Sequence, residues 1–449
     1  MSSQHASPRS AFRMRGSRAT DEARPARPSG MALGLKCPSF YVPHKESVTV
    51  TRFVSLVALI AITGAAAAAA APNPATPAPA APAPAAGAPN AVPIPNPPAV
   101  NARAYLLMDH FSGRVLAQSN ADERAEPASL TKLMTAYVVF HALAEGRLKL
   151  TDMVTISEHA WKAEGSRTFV QVGTQIPVDI LVKGMIVQSG NDATIALAEK
   201  VGGTEPAFAQ MMNTYAQRLG MKASHFENSD GLPGANHYTT ARDIAILANA
   251  LISEFPQYYP LFGLREFMWN NIHQQNRNGL LGKDPSVDGL KTGHTDSAGY
   301  CLATSANRSG MRLVSVVMGS PSVKAREDAS AALLNYGYTF FETIRIKAAH
   351  DTVLKPRVYL SADEYAPVGV ASDVYATIAR GQSASLKTSA RLGAATLRAP
   401  IAAGATVGEF TVTDSTGTAL AHAPLVTLQE VRKGGLWTWL VDSIALLFH

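Results

Sequence analysis

Three short motifs along the 449-residue chain contain the residue types of a nucleophilic serine site. The first is Ser129-Leu130-Thr131-Lys132, whose serine and lysine share one face if a helix begins there. A serine hydroxyl is a weak nucleophile until a base takes its proton, and a desolvated, partly neutral lysine can be that base. The pair therefore predicts a nucleophile and its general base, although this spacing also arises by chance in a chain of this length.

The second and third motifs supply other groups that such a site needs. Ser189-Gly190-Asn191 comes 60 residues after Ser129, and Lys291-Thr292-Gly293 comes 102 residues after Ser189. A second hydroxyl can pass a proton to a leaving amine, and an amide can hold a lysine and a peptide backbone. Lysine and threonine on a strand can bind a carboxylate, while glycine permits close backbone approach. Taken alone, the second motif also fits a loop between helices and the third a surface turn.

The pattern of residue types predicts three segments before the motifs. Residues 1–44 are rich in Arg, Ser and Pro without periodicity, which is typical of disorder. Because signal peptides usually begin a chain, a start site placed too far upstream is the alternative for this segment. Residues 45–71 combine a charged start, an apolar run and an alanine run, the pattern of a secretory signal peptide, with an N-terminal membrane anchor as the alternative. Residues 72–100 alternate Ala and Pro and predict an extended spacer.

Two folded domains and a terminal helix are predicted after the spacer. Residues 101–345 mix α and β segments and contain all three motifs, with the first at a helix start and the last in a strand. Residues 346–431 contain short β-rich runs separated by Gly, Ser and Asp, which predict a small all-β domain. Residues 432–449 predict a separate amphipathic helix.

The terminal segment has an apolar face at helical spacing. Thr438 and Asp442 lie off that face, and the basic pair Arg432 and Lys433 precedes it. The residues on the apolar face are Trp437, Leu440, Val441, Ile444 and Phe448. Tryptophans with a basic flank favour an interfacial helix whose cations meet anionic headgroups. The alternative is a helix docked on the protein's own domain.

Composition argues against several classes of function. The chain has 40 Lys and Arg residues and 34 Asp and Glu residues. Nine of the basic and three of the acidic residues precede Pro72, which leaves 31 of each after it, so residues 72–449 are formally neutral. A neutral body lacks the basic footprint of a nucleic-acid-binding protein. The two cysteines, Cys37 and Cys301, have no zinc or haem spacing, and no His, Cys, Asp and Glu cluster has metal-ligand spacing. We therefore expect no metal, no cofactor and no nucleic-acid partner.

In this order, the three motifs match the signature set of penicillin-binding proteins and serine β-lactamases. From about Ala102 to the C-terminus the chain resembles the low-molecular-mass penicillin-binding proteins that act as serine D-alanyl-D-alanine carboxypeptidases, peptidase family S11. The resemblance is carried by EPASLTKLMTAYVV, VQSGNDA, FENSDGLPGANHYTTARDIA, WNNIHQQNRNGLL, VDGLKTGHTDSAGYCLATSA and KARED. The KTGHT block and the β-rich tail are the segments most specific to this group.

The resemblance implies a fold and an activity. The fold is an α/β (α+β) β-lactamase/transpeptidase-like domain with an antiparallel sheet flanked by helices, followed by a small β-sandwich and a C-terminal amphipathic helix. The activity is removal of the terminal D-Ala from peptidoglycan stem peptides ending in D-Ala-D-Ala, through an acyl-enzyme that β-lactam antibiotics also form. The implied place is the periplasmic side of the bacterial inner membrane, to which the terminal helix anchors the chain.

The resemblance also implies residue roles. Ser129 is acylated, Lys132 is its base, Ser189 carries a proton and Asn191 organises the site. The backbone N–H groups of Ser129 and His294 form the oxyanion hole. The substrate-binding residues are Lys291, Thr292, Gly293, His294 and Arg326. For Arg326, which lies in KARED, a surface helix arginine is the alternative.

Three alternatives remain at this point. A class A β-lactamase needs a glutamate in an E-x-x-x-N pattern soon after the second motif, and only Glu266 to Asn270 offers one, late in the chain. A D,D-endopeptidase shares the three motifs, but relatives of that type lack the C-terminal β domain. A non-catalytic wall-binding protein would not need the intact motif residues, although their presence does not exclude it.

Overall fold

The computed structural model describes residues 94–447. The predicted signal peptide, most of the predicted spacer and Phe448 lie outside the described residues. The helices of the first domain are α1 (Thr131–Ala144), α2 (Glu158–Trp161), α3 (Val178–Lys183), α4 (Asn191–Gly202), α5 (Glu205–Leu219), α6 (Ala241–Glu254), α7 (Leu280–Lys283) and α8 (Val323–Phe340). Its strands are β1 (Ala104–Asp109), β2 (Val115–Ser119), β3 (Met153–Thr155), β4 (Gln175–Pro177), β5 (Glu266–Trp269), β6 (Ile272–Gln275), β7 (Val287–Thr295), β8 (Gly299–Arg308) and β9 (Met311–Ser320).

A five-stranded antiparallel sheet in the order β2-β1-β9-β8-β7 forms the centre of this domain. Successive side chains of a strand point to opposite faces. Leu106 and Val316 therefore join the core on one face, which α6 covers and to which α1 also contributes, while Leu107 and Val317 join the core under α8. The predicted antiparallel sheet with helices on both faces is confirmed.

Helix α1 runs through the interior of the domain. Twelve of its 14 residues are buried, and its apolar residues are distributed around the whole helix rather than along one stripe. Its N-terminus carries the first motif and packs against β7, which carries the third. Burial on all sides holds the first motif in a fixed position relative to the sheet.

The second domain is all β. Its strands are β10 (Phe341–Lys347), β11 (Thr352–Leu354), β12 (Val358–Tyr359), β13 (Val368–Val370), β14 (Val374–Ala379), β15 (Lys387–Leu392), β16 (Leu397–Arg398), β17 (Thr406–Thr413) and β18 (Ala419–Thr427). Sheet β11-β13-β18-β17-β15 and the pair β10-β14 enclose a core that includes Val368, Ala376 and Phe410. The boundary that we predicted at residue 346 falls inside β10, which starts directly after α8 and pairs with β14.

A buried carboxylate joins the two domains. Asp109 accepts hydrogen bonds from the hydroxyls of Ser112 at 2.8 Å and Thr343 at 2.7 Å. The Ser112 Oγ also lies 2.6 Å from the Oγ1 of Thr377 on β14, and the ring of Phe111 stacks on that of Tyr375. These contacts fix the β domain against the β1-β2 hairpin of the first domain.

The chain closes with α9 (Leu436–Ala445). Its polar face, with Asp442, is docked on the β domain, whereas Trp437, Leu440 and Ile444 are exposed. The docked-helix alternative thus holds for the polar face, while the predicted apolar face is free. Within residues 94–447, no helix has the length and hydropathy to cross a bilayer.

Candidate active site

The first motif begins in a tight turn. Ser129 lies in a 3-10 turn, Ala128–Leu130, that leads directly into α1. Ala128 has a φ of +46°, a left-handed conformation that is costly for a residue with a Cβ. A Cβ on Gly231 would lie 1.9 Å from the Ala128 carbonyl oxygen, so only glycine permits this approach. The turn that presents Ser129 is therefore held in place by the Gly231 loop.

Lys132 has the surroundings of a general base. Its Nζ lies 3.0 Å from Ser129 Oγ, 2.7 Å from Asn191 Oδ1 and 2.6 Å from the Asp230 carbonyl oxygen. Burial lowers the pKa of the Lys132 ammonium to about 8, and the nearby Asp230 carboxylate only partly opposes this. A substantial neutral fraction near neutral pH follows, and its lone pair is within hydrogen-bond reach of the serine.

The second and third motifs meet across the cleft. Ser189 follows the helical segment 184–188 and has a φ of +65°, so the helix ends there. The Ser189 hydroxyl faces Lys291. The Lys291 Nζ donates to Ser189 Oγ and to the Thr292 carbonyl oxygen, both at 2.9 Å. Burial holds the pKa of Lys291 well below its usual range, and the Lys132 ammonium adds to the effect. Asn191 begins α4 and donates to the Glu164 carbonyl oxygen at 2.6 Å.

A cleft of about 390 Å³ brings most of the predicted site residues together. Those lining it are Ser129, Ser189, Asn191, Thr292, Gly293, His294 and Arg326. Lys132 and Lys291 lie behind this surface, buried, and reach the cleft through the hydroxyls of Ser129 and Ser189. The two lysines can therefore exchange protons with a bound molecule through a serine each.

Arg326 lies at the cleft but is occupied by backbone. It is buried, so the surface-arginine alternative does not hold. Its guanidinium donates to the carbonyl oxygens of Gly293 at 3.2 Å, Cys301 at 3.4 Å and Arg277 at 3.4 Å. Burial lowers its pKa. Arg326 thus braces the end of β7 and adds positive charge to the cleft, a double role that the motif alone did not indicate.

Sequence reasoning missed the loop that forms one wall of the cleft. Gly165 and Ser166 line the cleft, and the loop that follows them is held by the buried Asp192 carboxylate. That carboxylate accepts the N–H groups of Thr168 at 2.7 Å, Phe169 at 2.8 Å and Val170 at 3.1 Å. An acidic residue directly after the second motif, in VQSGNDA, was the available signal.

Two further residues lie beside the motifs, Arg277 at the cleft and His237 next to the first motif. Arg277 lines the cleft and donates to Ser166 Oγ at 2.8 Å. His237 accepts the Glu227 N–H at 3.1 Å, so its other ring nitrogen donates to Thr131 Oγ1 at 2.8 Å. Burial lowers the pKa of His237 to about 4, which keeps the ring neutral at physiological pH. His237 supports a loop, and the chemistry rests on hydroxyls and lysines.

Comparison with known proteins agrees with this arrangement. Residues 91–322 match the sequence profile of the family described as D-alanyl-D-alanine carboxypeptidase, and residues 341–433 match that of the C-terminal domain of penicillin-binding protein 5. The D-alanyl-D-alanine carboxypeptidase DacA of Escherichia coli is 42% identical over 364 residues, which cover 79% of this chain and 90% of the relative. The carboxypeptidase DacF of Bacillus subtilis is 33% identical and covers 76% and 89%.

Solved structures with a similar fold are also penicillin-binding proteins. The crystal structure of penicillin-binding protein 5 from Haemophilus influenzae aligns with a TM-score of 0.71 at 42% identity, covering 75% of this chain and 99% of that one. The structure of penicillin-binding protein 6B from Escherichia coli aligns with a TM-score of 0.62 at 36% identity, covering 75% and 99%. Both of the domains described above are therefore shared with these proteins.

Proposed function

Because the chain belongs to the D-alanyl-D-alanine carboxypeptidase family, peptidase family S11, and is a serine carboxypeptidase of that kind, we propose that Ser129 is its nucleophile and Lys132 the base. The observation that carries this assignment is the 3.0 Å contact between Lys132 Nζ and Ser129 Oγ, together with a lysine pKa near 8. A lysine in this state can take the serine proton without an imidazole.

Acylation follows from the positions of the two serines. Lys132 takes the hydroxyl proton as Ser129 Oγ adds to the carbonyl carbon of the penultimate D-Ala. The C–N bond to the terminal D-Ala then breaks, and Ser189 delivers its proton to the leaving nitrogen. The proton that Lys132 took is returned to Ser189, so Lys132 is neutral again before deacylation. The backbone N–H groups of Ser129 and His294 stabilise the negative oxygen of the intermediate.

Deacylation uses the same base. Water adds to the ester carbonyl while Lys132 takes its proton, and the bond between Ser129 Oγ and the acyl carbon breaks as the serine recovers that proton. The products are the shortened stem peptide and the free enzyme. β-Lactams acylate the same serine because their strained amide presents an equivalent carbonyl.

The terminal carboxylate of the substrate would bind at the third motif. Thr292 and Arg326 line the cleft, and Lys291 lies directly behind it. A carboxylate there gains charge-assisted hydrogen bonds and offsets the repulsion among these cations. Gly293 keeps this strand close to the nucleophile, since a Cβ on it would lie 3.0 Å from the Pro127 carbonyl oxygen.

The β-lactamase alternative finds no support in the geometry. Glu266 lies on the β5-β6 hairpin, where it is exposed and pairs with His273 at 2.8 Å, and neither Glu266 nor Asn270 lines the cleft. The described residues thus place no glutamate of that pattern where it could activate a deacylating water. A D,D-endopeptidase would use the same motif residues as a carboxypeptidase but would cut cross-linked peptides. The experiment below distinguishes these two activities.

The test compares the wild type with Ser129→Ala on a peptide ending in Lys-D-Ala-D-Ala, with release of free D-alanine as the measurement. We expect release by the wild type, none by Ser129→Ala, and wild-type release by the control Ser253→Ala, whose serine is exposed on α6. Release by Ser129→Ala would contradict the assigned nucleophile. No release by the wild type, with labelling by fluorescent penicillin intact, would favour an endopeptidase acting on cross-linked peptides. If the wild type neither releases D-alanine nor is labelled by fluorescent penicillin, a wall-binding protein would be favoured.

We also propose that the chain acts in peptidoglycan metabolism on the periplasmic side of the inner membrane. A signal peptide at 45–71 would export it, and α9 would anchor it peripherally through its exposed apolar face. Support comes from the signal-like pattern and from the exposed Trp437, Leu440 and Ile444. Fractionation tests this. Wild-type protein should sediment with membranes, while a Leu440→Asp/Ile444→Asp double variant should remain in the periplasmic extract with its penicillin labelling unchanged.

A further inference from the structure

The polar face of α9 is attached to the β domain through a buried charge. Asp442 is 5% exposed, and it is the one residue of α9 that is buried. Its carboxylate accepts the Leu360 N–H at 2.6 Å and the Arg357 guanidinium at 3.4 Å. A buried carboxylate is costly unless it is paired, so this contact defines one position of the helix.

The backbone around Leu360 is shaped to make that contact. Leu360 follows β12 with a φ of +60°, a left-handed conformation that a bulky residue seldom adopts, and this turns its N–H toward Asp442. On the other side of the same turn, the Leu360 carbonyl oxygen accepts the Gly434 N–H at 2.9 Å. The start of α9 and its middle are therefore both tied to Leu360.

The opposite face of α9 is suited to a lipid bilayer. Leu436, Trp437 and Leu447 are 89%, 78% and 81% exposed, and the basic pair Arg432 and Lys433 is exposed just before them. An apolar face with tryptophan and a cationic flank fits the interface of a membrane that contains anionic phospholipid. A soluble partner would more often require polar groups on such a face to fix its orientation.

The attachment continues rigidly to the active site. The β domain that holds Asp442 is fixed to the catalytic domain through Asp109, Ser112 and Thr377. Val358 of β12, close to Leu360, packs with Val431 in a small core of its own, each of the two domains has a larger core, and the hydrogen bonds around the buried Asp109 join the domains. The angle between the apolar face and the cleft is thus set by the fold.

We propose that Asp442 is an orientation lock, which makes an anionic bilayer bind the enzyme at one fixed angle to its cleft. The inference rests on the proposed membrane binding by α9 and adds how the bound enzyme is held. Without the lock, α9 would remain a membrane anchor, but the domains would swing about Gly435, since the Gly434 N–H stays bonded to the Leu360 carbonyl oxygen.

The test measures distances from the catalytic domain to vesicles of phosphatidylethanolamine and phosphatidylglycerol. The chain that follows the proposed signal peptide, residues 72–449, carries a donor dye at Ser253→Cys, while its other cysteine, Cys301, is buried. The vesicles carry a lipid acceptor. We expect one narrow distance distribution for the wild type and a broad one for Asp442→Ala, with vesicle affinity within about threefold because the apolar face is unchanged. Asp442→Asn keeps an oxygen acceptor for Leu360 and should stay narrow, as should Asp414→Ala, which removes an exposed carboxylate of the same domain.

Hydrogen exchange gives a second measurement that does not depend on the dye. The Leu360 amide should exchange at least about tenfold more slowly in the wild type than in Asp442→Ala, as expected for a lost charge-assisted hydrogen bond. A narrow distribution for Asp442→Ala, or rapid exchange at Leu360 in the wild type, would overturn the lock and leave membrane binding intact. Failure of the wild type to bind the vesicles would overturn membrane anchoring and the lock with it.

Discussion

Replacing Asn191 by aspartate places a carboxylate next to Lys132 while keeping the shape of the side chain. The amide oxygen lies 2.7 Å from Lys132 Nζ. The carboxylate charge is shared by two oxygens, so its centre would lie about 4 Å from the ammonium charge. At an effective dielectric constant of about 20, these charges attract each other by about 4 kcal/mol, equivalent to a shift of about three units in the pKa of Lys132. The cleft is open to water beyond Ser129, so we expect about two-thirds of this. The pKa of Lys132 should therefore rise from about 8 to about 10.

The rate follows from the neutral fraction of the base. At pH 7 about one Lys132 in ten is neutral in the wild type and about one in a thousand in Asn191→Asp. Acylation should therefore be about a hundredfold slower in the variant at pH 7 but only about fourfold slower at pH 9.5. The assay is the second-order rate constant of labelling by fluorescent penicillin, which reports pKa values of the free enzyme.

The pH dependence separates electrostatics from structural damage. Asn191 also donates to the Glu164 carbonyl oxygen, a bond that aspartate loses, and this defect should lower the rate equally at every pH. Asn191→Ala provides the matched control, because it loses both bonds without adding charge. A rate ratio for Asn191→Asp that stays constant from pH 7 to 9.5 would refute Lys132 as the base.

Other consequences concern stability. Asp192→Asn weakens the three N–H contacts that hold the cleft wall, so the variant should lose about 2 kcal/mol in urea unfolding and acylate more slowly. Asp179→Asn, in a half-buried pair with Lys183 one helical turn away, should change stability by only about 0.5 kcal/mol. Asp109→Ala removes the buried acceptor that two hydroxyls share at the domain interface and should separate urea unfolding into two transitions. A single transition would contradict this role. His237 binds a proton near pH 6.5 when unfolded but near pH 4 when folded, so the free energy of unfolding should fall by up to about 3 kcal/mol as the pH drops through that range. His237→Gln should flatten this dependence, and equal slopes would contradict the burial argument.

The sequence predicted the groups whose chemistry is local and the faces set by periodicity. A serine and a lysine three residues apart on a helix start lie on one face by helix geometry alone, which is why Ser129 and Lys132 could be paired before the structure. The exposed face of α9 followed equally from the 3.6-residue period. In both cases the prediction needed only one element.

Contacts between distant segments were not predictable in this way. Asp192 looks like an ordinary helix-start carboxylate, and its role depends on a loop more than 20 residues upstream coming within hydrogen-bond distance. Arg326 was predicted at the cleft, but the spacing could not show that carbonyl groups of β7 and β8 would occupy its donors. Asp442 was correctly placed off the apolar face, yet nothing local indicated that Leu360 would supply a partner.

The two buried lysines share a consequence for substrate choice. Lys132, with a pKa of about 8, holds a proton near neutral pH, and burial together with this charge lowers the pKa of Lys291. A substrate carboxylate beside Thr292 attracts that proton to Lys291 and leaves Lys132 neutral, whereas a C-terminal amide does not. At saturating concentration, the turnover number for the peptide with a free C-terminal carboxylate should therefore be nearly constant from pH 7 to 9. The turnover number for the same peptide with a C-terminal amide should rise about tenfold over that range, as Lys132 loses its own proton. Identical pH profiles for the two peptides would show that carboxylate binding and base activation are independent.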